Sequence, residues 1–174
     1  MRLVKSVTLV PFLLAIALGQ SAAQAISPAR LYLSKACGFQ VTIPAGWRIK
    51  PSPSKKCTFT LAVPERPDGD LQLLARSGNF AQGSDDLGFT KDQGKWMLQG
   101  ESYQEAAEIG SANWTGLQGS VDTRIYGKKG YVGLGNQTRA LLFDRKNRIA
   151  EVTCYNGEEA VPEFVKGFEF LAQP

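Results

Sequence analysis

Three cysteines and no histidine in 174 residues frame the chemistry open to this chain. Without imidazole it lacks the usual general base, Ser-His and Cys-His nucleophile pairs, and imidazole metal sites. Cys154 as a nucleophile would need a lysine or a helix N-terminus to activate its thiol, and its alternating apolar surroundings read instead as a half-buried strand. Glu101, Glu105 and Glu158 are carboxylates of the kind a glycosidase pairs. They sit among other charges with no aromatic platform, the pattern of a solvated face. Gly130-Tyr131-Val132-Gly133-Leu134-Gly135 is spaced like a phosphate loop, but no Lys-Ser/Thr follows and it runs from strand to strand rather than from strand to helix. Asp68 and Asp70 flank Gly69 without the further oxygen ligands and closing Glu of a calcium loop, so they form a plain turn. Trp47, Trp96 and Trp114 fall at core-compatible strand positions. No catalytic, cofactor-binding or metal-ligating residue is assigned. Asn113-Trp114-Thr115 and Asn136-Gln137-Thr138 match glycosylation sequons, which matter only in a eukaryotic host.

The remaining chemistry is a disulfide. If Phe39–Ile43 and residues 47–50 pair as a hairpin across Pro44-Ala45-Gly46, the returning chain passes Cys37 around Pro53 and brings Cys57 within reach. Closing a loop of about 20 residues contributes on the order of 3 kcal/mol in the chain-entropy view. Cys154 is then the odd thiol. The rival pairing, Cys57 with Cys154, would staple two strands distant in sequence and stays open at this point.

Oxidised cysteines require an oxidising compartment, and the first residues look like an export signal. Arg2 and Lys5 give a positive start, residues 9–18 an apolar run, and Ala23-Gln24-Ala25 a small-residue cleavage site. The apolar run is broken by Pro11 and is shorter than the roughly 20 residues of a spanning helix. Cleavage after residue 25 is expected, with residues 26–174 forming the mature, secreted or periplasmic protein, soluble and without stable membrane insertion. Taking 25 residues from 174 leaves 149, one ordinary domain able to bury roughly 68 to 70% of its unfolded surface. With Arg2 and Lys5 gone, 18 basic residues face 16 acidic ones, a net charge of +2. Such a near-neutral chain, whose densest basic clusters are the dipeptides Lys55-Lys56 and Lys128-Lys129, has no footprint for nucleic acid.

Positioning these residues falls to a mostly β chain. Residues 26–35, with Pro28, read as an extended lead-in, after which Phe39, Val41 and Ile43 alternate with polar residues on one strand. Phe59, Leu61 and Val63, then Leu71, Leu73 and Ala75, mark two further core strands. Residues 77–94, rich in Gly, Ser, Asp and Gln, read as a long surface loop and a candidate for partner contact. Trp96 and Leu98 share a face of a short strand. Residues 103–109 stay open between a helix, for which Ser102 to Glu105 fits a capping box, and a strand. Strands follow through Trp114 to Tyr126, Tyr131 to Phe143 and Ile149 to Tyr155, joined by the turns 127–130 and 144–147. Val161, Phe164, Val165 and Phe168 recur at i, i+3, i+4 and i+7, an amphipathic helix with Pro162 in its first turn and Gly167 as its stop. The sum is a single α+β domain, mostly antiparallel sheet with packed helices.

Phe39-Gln40-Val41-Thr42-Ile43-Pro44-Ala45-Gly46-Trp47, followed by strands and closed by Phe164-Val165-Lys166-Gly167-Phe168-Glu169-Phe170, resembles the PsbP/Mog1-like superfamily. The resemblance implies an antiparallel sheet sandwiched by helices, an α/β/α arrangement. Its members are photosystem accessory subunits, a regulator of a nuclear-transport GTPase and bacterial envelope proteins, mostly binding or assembly factors. It brings no catalytic residues to carry over, and only the fold transfers. The expected function is an exported, non-enzymatic binding or accessory module contacting another envelope or secreted protein. The alternatives are an inhibitor or immunity protein against a secreted toxin or enzyme, and a carboxylate-dependent hydrolase of an envelope polymer.

Overall fold

The computed structural model describes residues 27–52, 56–64, 70–127 and 129–172. The export signal with its cleavage site, Pro53, Lys55, residues 67–69 of the expected turn and Lys128 lie outside the described residues. Among the described residues no helix is long and apolar enough to cross a membrane.

Three antiparallel sheets organise the described residues. The small first sheet has the order β1-β2-β13, built from β1 (Arg30–Ser34), β2 (Phe39–Ile43) and β13 (Phe168–Phe170). The central sheet of seven strands runs β3-β4-β5-β12-β11-β10-β9. Its members are β3 (Arg48–Pro51), β4 (Thr58–Ala62), β5 (Leu71–Ser77), β9 (Ala107–Gly110), β10 (Thr115–Gly127), β11 (Gly130–Asp144) and β12 (Arg148–Tyr155). A third sheet joins β6 (Phe89–Asp92), β7 (Lys95–Gln99) and β8 (Tyr103–Glu105). Among the described residues are two α-helices, α1 (Phe80–Leu87) and α2 (Ala160–Lys166).

The central sheet is apolar on both faces, because period-two alternation on β11 and β12 delivers buried residues to each. Ala140 and Leu142 of β11, with Ala150, Val152 and Cys154 of β12, join one cluster with the small first sheet and with Val161, Phe164 and Val165 of α2. Leu141 and Ile149, of opposite parity, join a second cluster with Leu87 of α1, Phe89 and Leu98. Aromatic rings dominate the first cluster. Phe39 stacks on Phe168 with centroids 5.3 Å apart and meets Phe59 edge-on at 5.4 Å. The buried Trp114 indole donates to the Phe168 carbonyl at 2.9 Å, tying the central sheet to β13.

Four readings of the sequence change. Phe39–Ile43 and residues 47–50 do not form a hairpin: β2 is flanked on both edges, by β1 and β13, and β3 pairs with β4 instead. The turn at 44–47, where Gly46 takes φ +80°, thus carries the chain from one sheet to another. The lead-in 26–35 contains β1, whose register runs Arg30↔Ile43 to Ser34↔Phe39.

Residues 77–94 are an ordered helix and strand rather than a long loop. Asn79 caps α1 by accepting from the Gln82 N–H at 2.9 Å, and Gly88 closes it in the left-handed region at φ +77°. The small residues that mimic a loop are what allow close packing. A Cβ on Gly83 would stand 2.6 Å from Leu141 Cδ1. The open segment 103–109 resolves as strands β8 and β9, broken at Ala106. At the C-terminus α2 stops at Lys166 with Gly167 as its cap, so Phe168 belongs to β13.

Candidate functional site

Cys37 and Cys57 are bonded, with Cα atoms 5.5 Å apart, and Cys154 is buried on β12 outside the disulfide. The pairing matches the expectation, but its geometric route does not. Cys37 ends a 3-10 turn, Lys35–Cys37, between β1 and β2, and Cys57 precedes β4 with φ +56°. The disulfide therefore links the small sheet to the central one across their ends.

That junction forms a cleft of about 1160 Å³. Its wall contains the disulfide, the end of β5 from Ala75 to Ser77, Lys146 and Arg148 around the β11–β12 turn, and the exit from β13 at Phe170 and Leu171. Among the described residues five basic ones line it, Lys35, Lys56, Arg76, Lys146 and Arg148, and none of the lining residues is acidic.

The two arginines are committed to structure. Arg148 Nε donates to Asp144 Oδ2 at 2.6 Å, and Nη1 donates to the carbonyls of Gly38 at 3.1 Å and Leu171 at 2.9 Å. Its guanidinium also lies 5.0 Å from the Phe170 ring centroid. Asp144 is buried, and its Oδ1 accepts the N–H groups of Lys146 at 3.0 Å and Arg148 at 2.9 Å, shaping the turn that presents Lys146. Gly38 takes φ +71°, and a Cβ there would come 3.1 Å from Arg148 Nη1, so glycine lets the guanidinium reach its carbonyl.

Arg76 bridges Glu151, whose Oε1 accepts Nε at 2.9 Å, and Asp86 of α1. Burial pushes the Glu151 carboxyl above its ordinary value, and Arg76 opposes that shift without cancelling it. With both guanidiniums held this way, the exposed lysines 35, 56 and 146 set the field in the cleft. A wall of this composition attracts anions.

The other residues singled out from the sequence are scattered. Glu101 pairs with Arg124 at 3.0 Å and Glu105 with Lys95 at 2.9 Å, while Glu158 is exposed before α2. None lines the cleft. Residues 130–135 run along β11, opposite β10. Trp47 and Trp114 are buried, and Trp96 packs against Phe80 at 5.4 Å between ring centroids. Asn113 is exposed and donates to Glu169, whereas Asn136 is half-buried. Sequence reasoning missed Lys35, Arg76, Lys146 and Arg148, and weighed Lys56 only as part of a basic dipeptide with no footprint for nucleic acid. The one local signal was Asp144 four residues before Arg148 across a polar turn.

No family model and no curated protein matches the chain. Among solved structures, a chain from Bacteroides thetaiotaomicron VPI-5482 is similar over 84% of this chain at 14% identity, with a TM-score of 0.52. This chain spans 50% of that chain's length. The solution structure of cyanobacterial PsbP (CyanoP) from Synechocystis sp. PCC 6803 aligns with 88% of this chain and 98% of its own, at 8% identity and a TM-score of 0.48. At 14% identity the likeness to the Bacteroides chain is one of fold alone.

Proposed function

We propose that this chain is an exported, non-enzymatic binding module that captures an acidic segment of another envelope or secreted protein in the cleft beside the Cys37–Cys57 disulfide. The observation that carries this is the cleft wall itself, where five basic side chains converge with no carboxylate among the described lining residues. The exposed ammonium groups of Lys35, Lys56 and Lys146 attract a carboxylate-rich chain and fix its register more than they add raw affinity. Export is supported by the disulfide and by the positive start, apolar run and small-residue cleavage site of residues 1–25. The helices take opposite parities of β11, in line with the α/β/α layering implied by the PsbP/Mog1-like resemblance. The hydrolase alternative loses ground because its three candidate carboxylates are dispersed and lie away from the cleft. An inhibitor or immunity role would use the same cleft, with the toxin or enzyme as the acidic partner.

The test is titration of fluorescent peptides rich in Glu and Asp, against length-matched Ser-Gln peptides, into the native protein and the Lys35→Glu/Lys146→Glu variant. Acidic peptides bind the native protein, weaken as salt is raised and fail on the variant. Equal binding of acidic and neutral peptides, or an unaffected variant, would rule the cleft out.

A further inference from the structure

Among the described residues β1 ladders with β2 alone, in unbroken register from Arg30↔Ile43 to Ser34↔Phe39, and so forms an open edge of the small sheet. The far side of β2 fixes which backbone groups of β1 face outward. Thr42 N–H donates to the Gly167 carbonyl at 2.9 Å and Leu171 N–H to the Gly38 carbonyl at 2.8 Å, so the even-numbered residues of 38–42 turn their backbone toward β13. Antiparallel ladders alternate, and Phe39, Val41 and Ile43 therefore turn theirs toward Ser34, Tyr32 and Arg30. The N–H and C=O groups of Leu31 and Leu33 point away from β2, along the open edge.

The same two residues carry exposed side chains. Leu31 is 64% and Leu33 47% exposed, while Tyr32 between them packs against the first cluster. Edge strands are commonly blunted by a charge, a proline or a bulge. Residues 31–34 contain none of these. An extended segment laid against this edge finds a donor and an acceptor at each leucine, and its residues opposite Leu31 and Leu33 share their exposed face.

Charge selects the occupant. The strand runs into the cleft, where Leu33 and Lys35 are both lining residues and the exposed Lys56 and Lys146 lie in the same wall. Residues 27–38 hold Arg30 and Lys35 and no acidic residue, so a second copy laid antiparallel on β1 meets only its own sign of charge. A segment that is acidic at one end and alternates apolar residues at the other meets Lys35 first and then Leu33 and Leu31.

We infer that the acidic partner docks by strand addition to β1, an inference that rests on the acidic-segment reading of the cleft and adds the partner's conformation and register. An extended segment pairs antiparallel with β1, exchanges backbone hydrogen bonds with Leu31 and Leu33, and sets apolar side chains against theirs. Its acidic N-terminal part passes Lys35 into the cleft.

The test combines residue-resolved amide exchange of the full chain with titration of the peptide Glu-Asp-Glu-Val-Thr-Val-Thr. In the free chain the Leu31 and Leu33 amides exchange fast while those of Tyr32 and Ser34 are held by β2, and the peptide slows Leu31 and Leu33. N-methylation of both valines, which removes two backbone bonds to β1, weakens binding about 30-fold. N-methylation of both threonines, whose amides face away from β1, leaves it unchanged. The proposal is overturned if the two methylated peptides bind alike, or if Leu31 and Leu33 exchange as fast in the complex as alone. Binding that then still fails on Lys35→Glu/Lys146→Glu keeps the acidic-segment reading without strand addition. A valine-specific loss that persists in that variant supports strand addition and removes the acidic-segment reading alone. Slow exchange of Leu31 and Leu33 without peptide also overturns the proposal, and assigns the edge to a second copy where it grows with protein concentration. Failure of the peptide to bind at all overturns both.

Discussion

At Arg148 a single guanidinium holds three separate chain segments: the β11–β12 turn through Asp144, the start of β2 through Gly38, and the C-terminal exit through Leu171. Its side chain and that of Asp144 are only 13% and 5% exposed, so removing one leaves the other charge buried and short of partners. Arg148→Ala should lower stability in urea by about 3 kcal/mol, the lower end for breaking a buried pair, because two backbone N–H groups still reach Asp144. Adding Asp144→Asn should recover part of that loss, and no recovery would show the pair is not the cause. Glu151 yields a prediction in pH. Its folded carboxyl titrates above the ordinary 4.5, so the native state holds the proton more tightly than the unfolded chain. The resulting stability is fully present below that ordinary value and is lost as pH rises through the raised folded value. Glu151→Gln removes this dependence, and its urea midpoint should gain on the native protein from pH 4.5 upward. A difference that stays constant with pH would contradict the buried, proton-retaining carboxyl.

Among the elements, α1 shows how composition and packing diverge. Eight residues with a glycine, a serine and two aspartates are too short and too polar to hold a helix in water. It is held by the Asn79 cap, by Leu87 entering the second cluster, and by Arg139, which donates to the Leu87 carbonyl at 2.8 Å at the helix C-terminus. Burial disfavours the Arg139 charge and lowers its pKa, while the carbonyls at the helix end give it acceptors. Asn79→Ala should cost about 1 kcal/mol, read most directly as faster amide exchange across 80–87. Gly83→Val should cost more, on the order of 1–3 kcal/mol, since Leu141 already occupies the space a side chain would need. A milder effect for Gly83→Val than for Asn79→Ala would mean α1 is not seated on Leu141.

For the molecule as a whole, the disulfide and the two-faced central sheet set what moves together. Cys37 and Cys57 are 20 residues apart and join two sheets that share no ladder hydrogen bonds. Replacing both by alanine should lower stability by about 3 kcal/mol in the chain-entropy view. It should also weaken acidic-peptide binding, because Lys35 and Lys56 adjoin the bridge and lose their fixed separation. Cys154→Ala in the same assays should leave the bridge intact; on peptide mapping of the native protein, a peptide joining Cys57 to Cys154 would revive that pairing.

Alternation on Phe39, Val41 and Ile43, on Leu71, Leu73 and Ala75, and along 140–154 was legible in the sequence because each strand's period is local and each face is buried. So were the C-terminal helix and the long hairpin, whereas the partners of the disulfide were named by way of a hairpin that does not form. The sheet to which each strand belongs was not legible: edge occupancy is a nonlocal property, and β2 had no edge left for β3 once β1 and β13 had taken both. Residues 77–94 were misread for a related reason, since smallness marks a loop in sequence and a close approach in a packed structure. The cleft lay furthest from view. Lys35, Lys56, Arg76, Lys146 and Arg148 form no motif, and they meet only because the disulfide, Arg148 and the exit from β13 bring the ends of two sheets together. Local periodicity determined the class of fold, and tertiary closure decided where the charge converges.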